Sequence, residues 1–335
     1  MKITGLSLSI IICPILLTLC ACTPKADNTP FSKSGLYYDT IISVTVYGTD
    51  QTEANTILDQ CMDLCDHYEK LFDPDIKTSD IARINSHSQD PVTVDKDTIM
   101  CLRKAMEYSV ISNGRFDITI KPVSDLWDFH EDSYYIPSSE QLKEAVALVD
   151  YHKITVDPEK NTVSLPPGYS IELGAAAKGY IAGRLRDYLA SESITGAIIN
   201  IGGDICLLGA KPDGSDFTIG INDPFTEGNT IMALVLRDTS VATSGTYERC
   251  FTSGGRKYHH ILDTKTGDPV DTDVMSVTVI TNNPLDADCL GTLCVIEGSE
   301  KAIRIINNTP DTEAVIIRND GVVVASDGAG EYIKP

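Results

Sequence analysis

Hydrophobic residues recur along this chain with either the two-residue period of strands or the three-to-four-residue period of helices. DTIISVTVYG at 39–48 alternates β-branched and polar residues, which predicts a strand. Apolar residues at helical spacing predict amphipathic helices over 52–72 and 97–114, the second closed by Gly114. FDITIKPVSDLWDF at 116–129 is strand-like at first and then loop-like. The first part of the chain therefore mixes strands and helices.

The pattern becomes mostly β from about residue 152. A helix over 138–149, with Ser138 as its N-cap, precedes this region, and AAAKGYIAGRLRDYLAS at 175–191 is a clear helix within it. The predicted strands lie within 152–174, 196–209, 217–223, 229–245, 276–283, 313–320 and 321–328. They occur in hairpin-like runs without strict βαβ alternation, so the pattern predicts an α+β fold of antiparallel β-sheets with packed helices. Neither GxGxxG nor a Walker-type loop occurs, which argues against Rossmann and P-loop folds.

The N-terminal segment predicts export. One early lysine and an apolar stretch from Ile10 to Leu19 are typical of a secretory signal peptide over 1–21, and the stretch is short for a membrane span of about 20 residues. LCAC resembles a bacterial lipobox with lipidation at Cys22, although a simply secreted form is the alternative. Residues 22–34 then form the lipidated cysteine and a flexible tether, and 35–335 form the globular domain. We therefore expect the protein at the extracytoplasmic face of a bacterial cell membrane, anchored through Cys22.

Charge and cysteine usage exclude several classes of function. The chain has 27 basic and 48 acidic residues and a net charge of −21, which argues against nucleic acid as a partner. An anionic substrate would need local positive groups or a metal. Seven cysteines follow Cys22 without CxxC or Cys/His spacing, which argues against zinc and leaves disulfides open. Cys61 and Cys65 share a helical face and are predicted to face the core.

NPLDADCLGT at 283–292 has two interpretations. Pro284 and the apolar residues that follow predict a helix, and Asp side chains often cap helix N-termini. Asp288 and Thr292, however, are four residues apart, so one helical face would present a carboxylate and a hydroxyl to a cation. These ten residues alone do not decide which of the two acids, Asp286 or Asp288, would be the cap.

Two further segments carry candidate chemistry. In IELGAAAKGYIAGR at 171–184, the small residues either allow close packing of helix and sheet or bring backbone N–H groups and Lys178 to a phosphate. The segment 244–270 is either a hairpin with one packed imidazole or part of an active site. Adjacent histidines in a strand point to opposite faces, so at most one of His259 and His260 enters a site, and His260 would suit a general base.

Seven segments together resemble one known family. GRFDITIKPVSDLW, IELGAAAKGYIAGRL, INIGGDI, IGINDP, VATSGTYER, YHHILDTKTGDP and DADCLGTL occur in the order and spacing of the ApbE family, the FAD:protein FMN transferases. The resemblance runs from Tyr38 to about Gly298. It implies an ApbE-like, T-fold-like α+β architecture. It also implies Mg²⁺-dependent transfer of FMN from FAD to a threonine or serine hydroxyl of a target protein, through a phosphoester, with release of AMP.

The resemblance also implies roles for individual residues. The implied metal ligands are the backbone carbonyl of Ala175 and the side chains of Asp288 and Thr292. Asp286 matches no ligand of the family and is therefore the predicted cap of the helix. The implied catalytic residues are His260, Asp288 and Lys178. Of these, His260 would deprotonate the acceptor hydroxyl. The implied flavin-nucleotide contacts are Tyr38, Arg115, Phe116, Asp117, Glu172, Lys178 and Ile261. The chain departs from the family pattern at the Tyr-Asp-Thr that replaces Met-Gly-Thr at 38–40, and at Lys121, Thr264 and Gly291.

Two alternatives to FMN transfer remain at this stage. The same site could hydrolyse FAD to FMN and AMP as a Mg²⁺-dependent pyrophosphatase, or the chain could be a flavin-binding lipoprotein without catalysis. A base such as His260 has little use in a mere binder. The family and the predicted location suggest an extracellular electron-transfer flavoprotein as the acceptor.

Overall fold

The computed structural model describes residues 29–86, 90–129 and 133–334. The predicted signal peptide and Cys22 lie outside the described residues. The strands are β1 (Phe31–Tyr37), β2 (Thr40–Tyr47), β3 (Val92–Thr93), β4 (Thr155–Asp157), β5 (Thr162–Ser164), β6 (Gly196–Ile201), β7 (Asp204–Gly209), β8 (Phe217–Asn222), β9 (Thr230–Leu236), β10 (Ser240–Gly245), β11 (Cys250–Ser253), β12 (Arg256–His259), β13 (Val274–Thr281), β14 (Thr312–Arg318) and β15 (Val323–Ala325). The helices are α1 (Gln51–Phe72), α2 (Asp80–Ser86), α3 (Lys96–Ile111), α4 (Lys121–Ser124), α5 (Ser139–Val146), α6 (Ala177–Ser191), α7 (Pro284–Glu297) and α8 (Ser299–Asn307). Short 3₁₀ turns span Ile118–Ile120, Tyr151–Lys153 and Ala329–Glu331.

One large antiparallel sheet organises the molecule. Its strand order is β1-β2-β6-β7-β10-β13-β14-β15, and each neighbouring pair is antiparallel. The hairpins β8–β9 and β11–β12 and the small sheet β3-β5-β4 complete the β-structure of the described residues. The predicted α+β class with antiparallel sheet and packed helices is therefore confirmed.

The two faces of the large sheet pack against different elements. Alternate residues of β10, β13 and β14 contribute to the main core, where helices α1, α6 and α7 cover the sheet. The residues between them contribute to a second cluster with the β8–β9 hairpin, which includes Phe217, Leu234 and Leu236. A third cluster surrounds Trp127, which joins α4 and α5 to the β11–β12 hairpin. The β11–β12 hairpin therefore lies outside the main core, on a small cluster of its own.

Most helices follow the periodicity closely. The helix predicted over 52–72 is α1, and that over 97–114 is α3, after which the N–H of Gly114, at φ +76°, bonds to the Ser109 carbonyl at 2.8 Å. Ser138 caps α5 in a capping box with Gln141, as predicted for the cap. The helices α2 and α8 are additional, and only Gly298, at φ +79°, separates α8 from α7.

The strand predicted at the start of 116–129 is wrong. Residues Ile118–Ile120 form a 3₁₀ turn, and α4 follows directly. The Asp117 carboxylate accepts hydrogen bonds from the N–H and hydroxyl of Thr119, at 2.8 and 2.7 Å, and so closes the turn. An alternation of only three residues does not distinguish a strand from such a turn.

The folded domain starts before residue 35. Residues 31–34, predicted as part of the tether, belong to β1, which pairs with β2 from Phe31↔Val46 to Tyr37↔Thr40. As an edge strand, β1 is largely exposed and polar, so its sequence lacks the alternation that identifies half-buried strands. Within the part of the chain that the structure describes, no helix combines the length and apolar composition needed to cross a membrane.

Candidate active site

The N-terminal turn of α6 lies directly against the first turn of α7. A Cβ atom on Gly179 would approach the Pro284 carbonyl oxygen to 2.3 Å and the Leu285 Cα to 2.6 Å, so a side chain has no space there. Gly291, further along α7, is similarly close to Ser244 of β10, whose Oγ would lie 2.7 Å from an added Cβ. Gly179 and Gly291 therefore allow close packing of α6 on α7 and of α7 on β10, and this packing brings the two helices and β10 together.

Asp288 of α7 takes the place of an N-cap for α6. Ala176, at the N-terminus of α6, makes no side-chain capping bond. Instead, the Gly179 N–H donates to Asp288 Oδ2 at 3.0 Å. Such an N–H in the first turn has no partner within its own helix. Asp288 thus joins α6 and α7 through one carboxylate oxygen.

The cap of α7 itself is Asn283 and not Asp286, which corrects the prediction. Asn283 Oδ1 accepts from the Leu285 N–H at 3.0 Å. Asp286 lies in the first turn and accepts from the Tyr108 hydroxyl at 2.6 Å, with Lys104 Nζ 3.0 Å away. The Asn283 side chain, one residue before the proline, is placed to accept from the first N–H groups of α7, whereas Asp286 points toward α3.

The second oxygen of Asp288 faces positive charge. Asp288 is only 3% exposed, and its Oδ1 lies 4.0 Å from Lys178 Nζ, beyond hydrogen-bond length. Burial and, to a lesser extent, the nearby Asp204 raise the pKa of Asp288 to about 6, although Lys178 and the hydrogen bond from Gly179 act to lower it. A buried carboxylate binds an additional cation favourably, because a nearby positive charge stabilises the ionised form that burial disfavours.

Asp204 holds Lys178 in place. The two-residue turn Gly202–Gly203 joins β6 to β7, with positive φ at both glycines, and places Asp204 at the start of β7. One oxygen of Asp204 accepts a short hydrogen bond from Lys178 Nζ, and the other accepts from the Thr243 N–H at 2.9 Å. Although burial lowers the pKa of Lys178, the two carboxylates raise it above its usual value, so the ammonium stays charged.

The two adjacent histidines have opposite surroundings. His259, the last residue of β12, is buried, and its Nε2 lies 3.2 Å from the Val270 carbonyl. His260 Nδ1 lies 3.2 Å from the Glu248 carbonyl. A carbonyl only accepts, so Nδ1 carries the proton of the neutral ring and the lone pair is on Nε2. His260 therefore has the tautomer that a general base needs.

The electrostatic surroundings keep His260 neutral. Enclosure by the protein, the positive charge of Arg249 and that of Lys178 lower the pKa of His260 to about 4. Enclosure also raises the pKa of the Glu248 carboxyl, while Lys178 lowers it and Asp204 raises it. Asp204 accepts from the Thr243 N–H of β10, and the chain continues from β10 to Glu248, whose carbonyl lies 3.2 Å from His260 Nδ1, so the Lys178–Asp204 pair and His260 are linked through this segment. An imidazole with such a pKa is uncharged at neutral pH, so its second nitrogen keeps a lone pair that can take a proton during a reaction.

The donor set suits a hard divalent cation. Asp288 offers a buried carboxylate oxygen, Thr292 lies one turn later on α7, and Ala175 lies in the turn that leads into α6. Carboxylate, hydroxyl and carbonyl oxygens are the ligands that Mg²⁺ accepts. Among residues 29–86, 90–129 and 133–334, no group of three or more His, Cys, Asp or Glu side chains could hold a metal ion. All seven cysteines of the described residues are free, and Cys61 and Cys65 face the core as predicted.

Several residues predicted at the flavin make structural contacts. Arg115 donates to the Ile296 carbonyl at 2.6 Å and pairs with Glu297 at 3.1 Å, at the C-terminal end of α7. Asp117 also accepts from the Tyr151 N–H at 2.9 Å, and Phe116 is buried. These contacts attach the segment to the C-terminal end of α7 and to Tyr151.

The other predicted flavin contacts occupy three different places. Glu172, in which burial raises the carboxyl pKa, accepts from the Ser124 hydroxyl at 2.5 Å. Ile261 is buried beside the second histidine. Tyr38 forms the β1–β2 turn with Asp39, and both have positive φ, a conformation in which the glycine of the family's Met-Gly-Thr would be unstrained. The Tyr38 hydroxyl is buried without a hydrogen-bond partner.

Comparison with known proteins identifies the family. A model of the ApbE family matches residues 38–316. The chain belongs to the ApbE family. Its relatives include an FAD:protein FMN transferase of Klebsiella pneumoniae (strain 342), 32% identical over 305 residues, which cover 90% of this chain and 93% of the relative. Another, of Treponema pallidum (strain Nichols), has the same description and is 30% identical over 344 residues, covering 98% and 95% of the two chains.

Solved structures of ApbE proteins share the fold. The ApbE protein of Thermotoga maritima superposes with a TM-score of 0.84 at 28% identity, covering 92% of this chain and all of that one. The flavin transferase ApbE of Vibrio cholerae superposes with a TM-score of 0.80 at 26% identity, covering 91% and 99%. The predicted ApbE-like architecture is therefore confirmed.

Sequence reasoning missed Asp204 and left Glu248 without a role. Asp204 lies in INIGGDI, a segment used only for the family resemblance. An acid directly after a Gly-Gly turn, between two apolar strands, was the available signal. Its partner Lys178 is 26 residues earlier, and only the packing of α6 beside β7 brings them together.

Proposed function

We propose that this ApbE-family chain is an FAD:protein FMN transferase that modifies a threonine or serine hydroxyl of a target protein. The observation that carries the proposal is the placement of Lys178 beside Asp288 and Asp204, next to β10 and the segment that leads from it to the His260 hairpin, in a chain whose relatives bear that description. In the reaction, the acceptor oxygen attacks the FMN phosphorus and forms a phosphoester. The bond from that phosphorus to the bridging oxygen breaks, and AMP leaves with that oxygen.

His260 is the proposed base. Its Nδ1–H is held by the Glu248 carbonyl, so Nε2 is free to take the proton of the acceptor hydroxyl as the new bond forms. The lowered pKa ensures that the ring is neutral before it accepts that proton. Phosphoryl transfer otherwise requires positioning and charge neutralisation.

Lys178 provides a fixed positive charge at the proposed phosphate site, because Asp204 keeps it ionised and oriented. The cation proposed here is Mg²⁺, which Asp288, Thr292 and the Ala175 carbonyl would hold, and it would neutralise phosphate oxygens and favour departure of AMP. Asp288 has a second task, since its Oδ2 stays on the Gly179 N–H. The metal ligand is thus preorganised by the packing of α6 on α7.

The proposal includes the cellular setting. A lipid on Cys22 would anchor the domain to the extracytoplasmic face of a bacterial cell membrane, and the acceptor would be an electron-transfer flavoprotein exposed on the same side. The LCAC segment and the Pro/Ser/Thr-rich residues after it support this setting. Fractionation tests it: a Cys22→Ser variant should leave the membrane fraction, and its retention there would exclude Cys22 as the anchor.

The central experiment compares Asp288→Asn with Asp286→Asn. The soluble domain, FAD, Mg²⁺ and a flavin-acceptor domain with a target threonine are combined, and mass spectrometry measures addition of one FMN. Asn at 288 still accepts from Gly179 but is a poor Mg²⁺ ligand, so we expect transfer to fall at least about 100-fold with the fold retained. Asp286→Asn makes the same change on the α3 side of α7 and should retain transfer.

The outcomes separate the candidate activities. Normal transfer by Asp288→Asn would exclude Asp288 as the metal ligand. Conversion of FAD to free FMN and AMP with an unmodified acceptor would identify a pyrophosphatase instead. Recovery of intact FAD with Mg²⁺ and with other divalent ions would reduce the protein to a flavin binder.

A further inference from the structure

The β11–β12 hairpin carries a ladder of stacked aromatic rings. Phe251 and Tyr258 are cross-strand partners, with ring centroids 5.1 Å apart and planes at 12°. Tyr134 stacks on Phe251 at 4.3 Å and 13°, and Tyr258 lies 5.8 Å from Trp127. We call Tyr134, Phe251 and Tyr258 the aromatic ladder. It extends from the Trp127 cluster to the surface.

The outer end of the aromatic ladder is exposed. Tyr134 is 44% exposed, and the neighbouring Tyr135 and Ile136 are 48% and 38% exposed. Phe251, on which Tyr134 stacks, is buried, so the Tyr134 ring covers the core with one face and leaves its other side exposed. Contiguous exposed apolar side chains of this kind mark interaction surfaces more often than isolated ones do.

The aromatic ladder and the proposed base belong to the same hairpin. Tyr258 is two residues before His260, a separation of about 7 Å along an extended chain. Arg249 directly follows Glu248, whose carbonyl lies 3.2 Å from His260 Nδ1. A chain that presents a hydroxyl to His260 can therefore contact Tyr258 within a few residues of that hydroxyl.

The same hairpin is a basic region in an acidic protein. Between residues 249 and 262 the chain has Arg249, Arg256 and Lys257 and no acidic residue, whereas the whole chain has a net charge of −21. The Arg256 guanidinium lies over the Tyr258 ring, 4.8 Å from its centroid, and 3.6 Å from Asp268. An acidic partner would be repelled by most of this protein and attracted here.

We propose that the aromatic ladder and the basic residues Arg249, Arg256 and Lys257 form the docking surface for the acceptor protein. The occupant is the segment that carries the target hydroxyl, with an apolar side chain that packs on Tyr134 and an acidic residue near the hydroxyl that pairs with Arg256. This inference rests on the proposed function, because it specifies the partner of that site. The surface orients the acceptor hydroxyl toward His260 and has no part in holding FAD.

The test compares Tyr134→Ala and Arg256→Glu with Phe225→Ala. Phe225 lies in the loop between β8 and β9, a hairpin that packs on the face of the large sheet opposite the helices. It is an aromatic residue with 49% exposure, so it matches Tyr134 in kind and exposure. Acceptor concentration is varied at saturating FAD, with the same flavin-acceptor domain as probe. Each of the first two variants should raise KM for the acceptor about tenfold, the usual loss when one central contact is removed. FAD affinity, measured by quenching of flavin fluorescence, should stay within about twofold.

Each result has one meaning. Unchanged KM in Tyr134→Ala and Arg256→Glu, with folded variants by thermal melt, would overturn the docking surface while leaving the transferase intact. An equal effect of Phe225→Ala would also overturn it, because the loss would not be local. A wild-type dimer that the Tyr134 variant dissociates would assign the face to a second copy of the chain. Failure of the wild type to modify the acceptor, with FAD bound, would overturn the proposed function itself.

Discussion

Gly179→Ala tests how the packing of α6 on α7 positions Asp288. The added Cβ would lie 2.3 Å from the Pro284 carbonyl oxygen and 2.6 Å from the Leu285 Cα. Both are backbone atoms in the first turn of a helix, so no side-chain rotation relieves the contact. The helices must separate by about 1 Å for the Cβ to reach an ordinary contact distance. The same movement would lengthen the 3.0 Å hydrogen bond from the Gly179 N–H to Asp288 to roughly 4 Å, at which it is lost.

The expected magnitudes follow from this displacement. Overpacking a close contact costs about 1–3 kcal/mol, and replacing a helical glycine with alanine returns about 0.5–1 kcal/mol. The net loss of unfolding free energy should be about 0–2.5 kcal/mol, which in a domain of about 300 residues lowers Tm by up to about 4 °C. The effect on catalysis should be larger, because a misplacement of about 1 Å commonly lowers the rate about 100-fold.

Gly183→Ala is the matched control for Gly179→Ala. Gly183 is one turn later on the same face of α6, and its added Cβ would meet only the side-chain Cγ of Pro284, at 3.3 Å. A proline ring can yield by the few tenths of an ångström required, so this variant should keep normal transfer and an equal or higher Tm. The assays are FMN addition to the acceptor and thermal unfolding with and without Mg²⁺. Wild-type transfer and Tm in Gly179→Ala would refute the argument that helix contact positions Asp288.

Two further predictions concern residues around the site. Arg115→Ala should lower the unfolding free energy by about 1–3 kcal/mol in denaturant titrations, because it removes a charged donor from the Ile296 carbonyl. FAD affinity should not change, and a loss of affinity at full stability would instead place Arg115 at the flavin. Arg249→Gln removes a positive charge that lowers the pKa of His260, so that pKa should rise from about 4 toward 6.5. At saturating Mg²⁺, the acid limb of kcat/KM should move to higher pH, and an unmoved limb would contradict His260 as the base.

Local periodicity was sufficient for most of the scaffold. The alternation in 39–48 and the helical spacing in 52–72 correspond to β2 and α1, because each pattern records which face of a single element is buried. Periodicity failed where burial left little alternation in the sequence. β1 is an exposed polar edge strand, and Ile118–Ile120 is too short for its period to be read.

The candidate site was only partly accessible from local patterns. Asp288 and Thr292 share a helical face by spacing alone, and strand alternation predicts that at most one of His259 and His260 enters a site. The spacing could not say which helix an acid would cap. Asp286, the predicted cap, binds Tyr108, whereas Asp288 caps a helix that is 109 residues away in the chain.

The sequence by itself determined the family, the α+β class and the residues that could carry the chemistry, because motif order and periodicity are properties of the chain. The tertiary structure alone decided how those residues are used. Asp204 became the partner of Lys178, and one oxygen of Asp288 was assigned to Gly179. Hydrogen bonds between segments depend on the close approach of packed elements. That approach is set by small residues such as Gly179, whose importance lies in the neighbour they admit and not in any chemistry of their own.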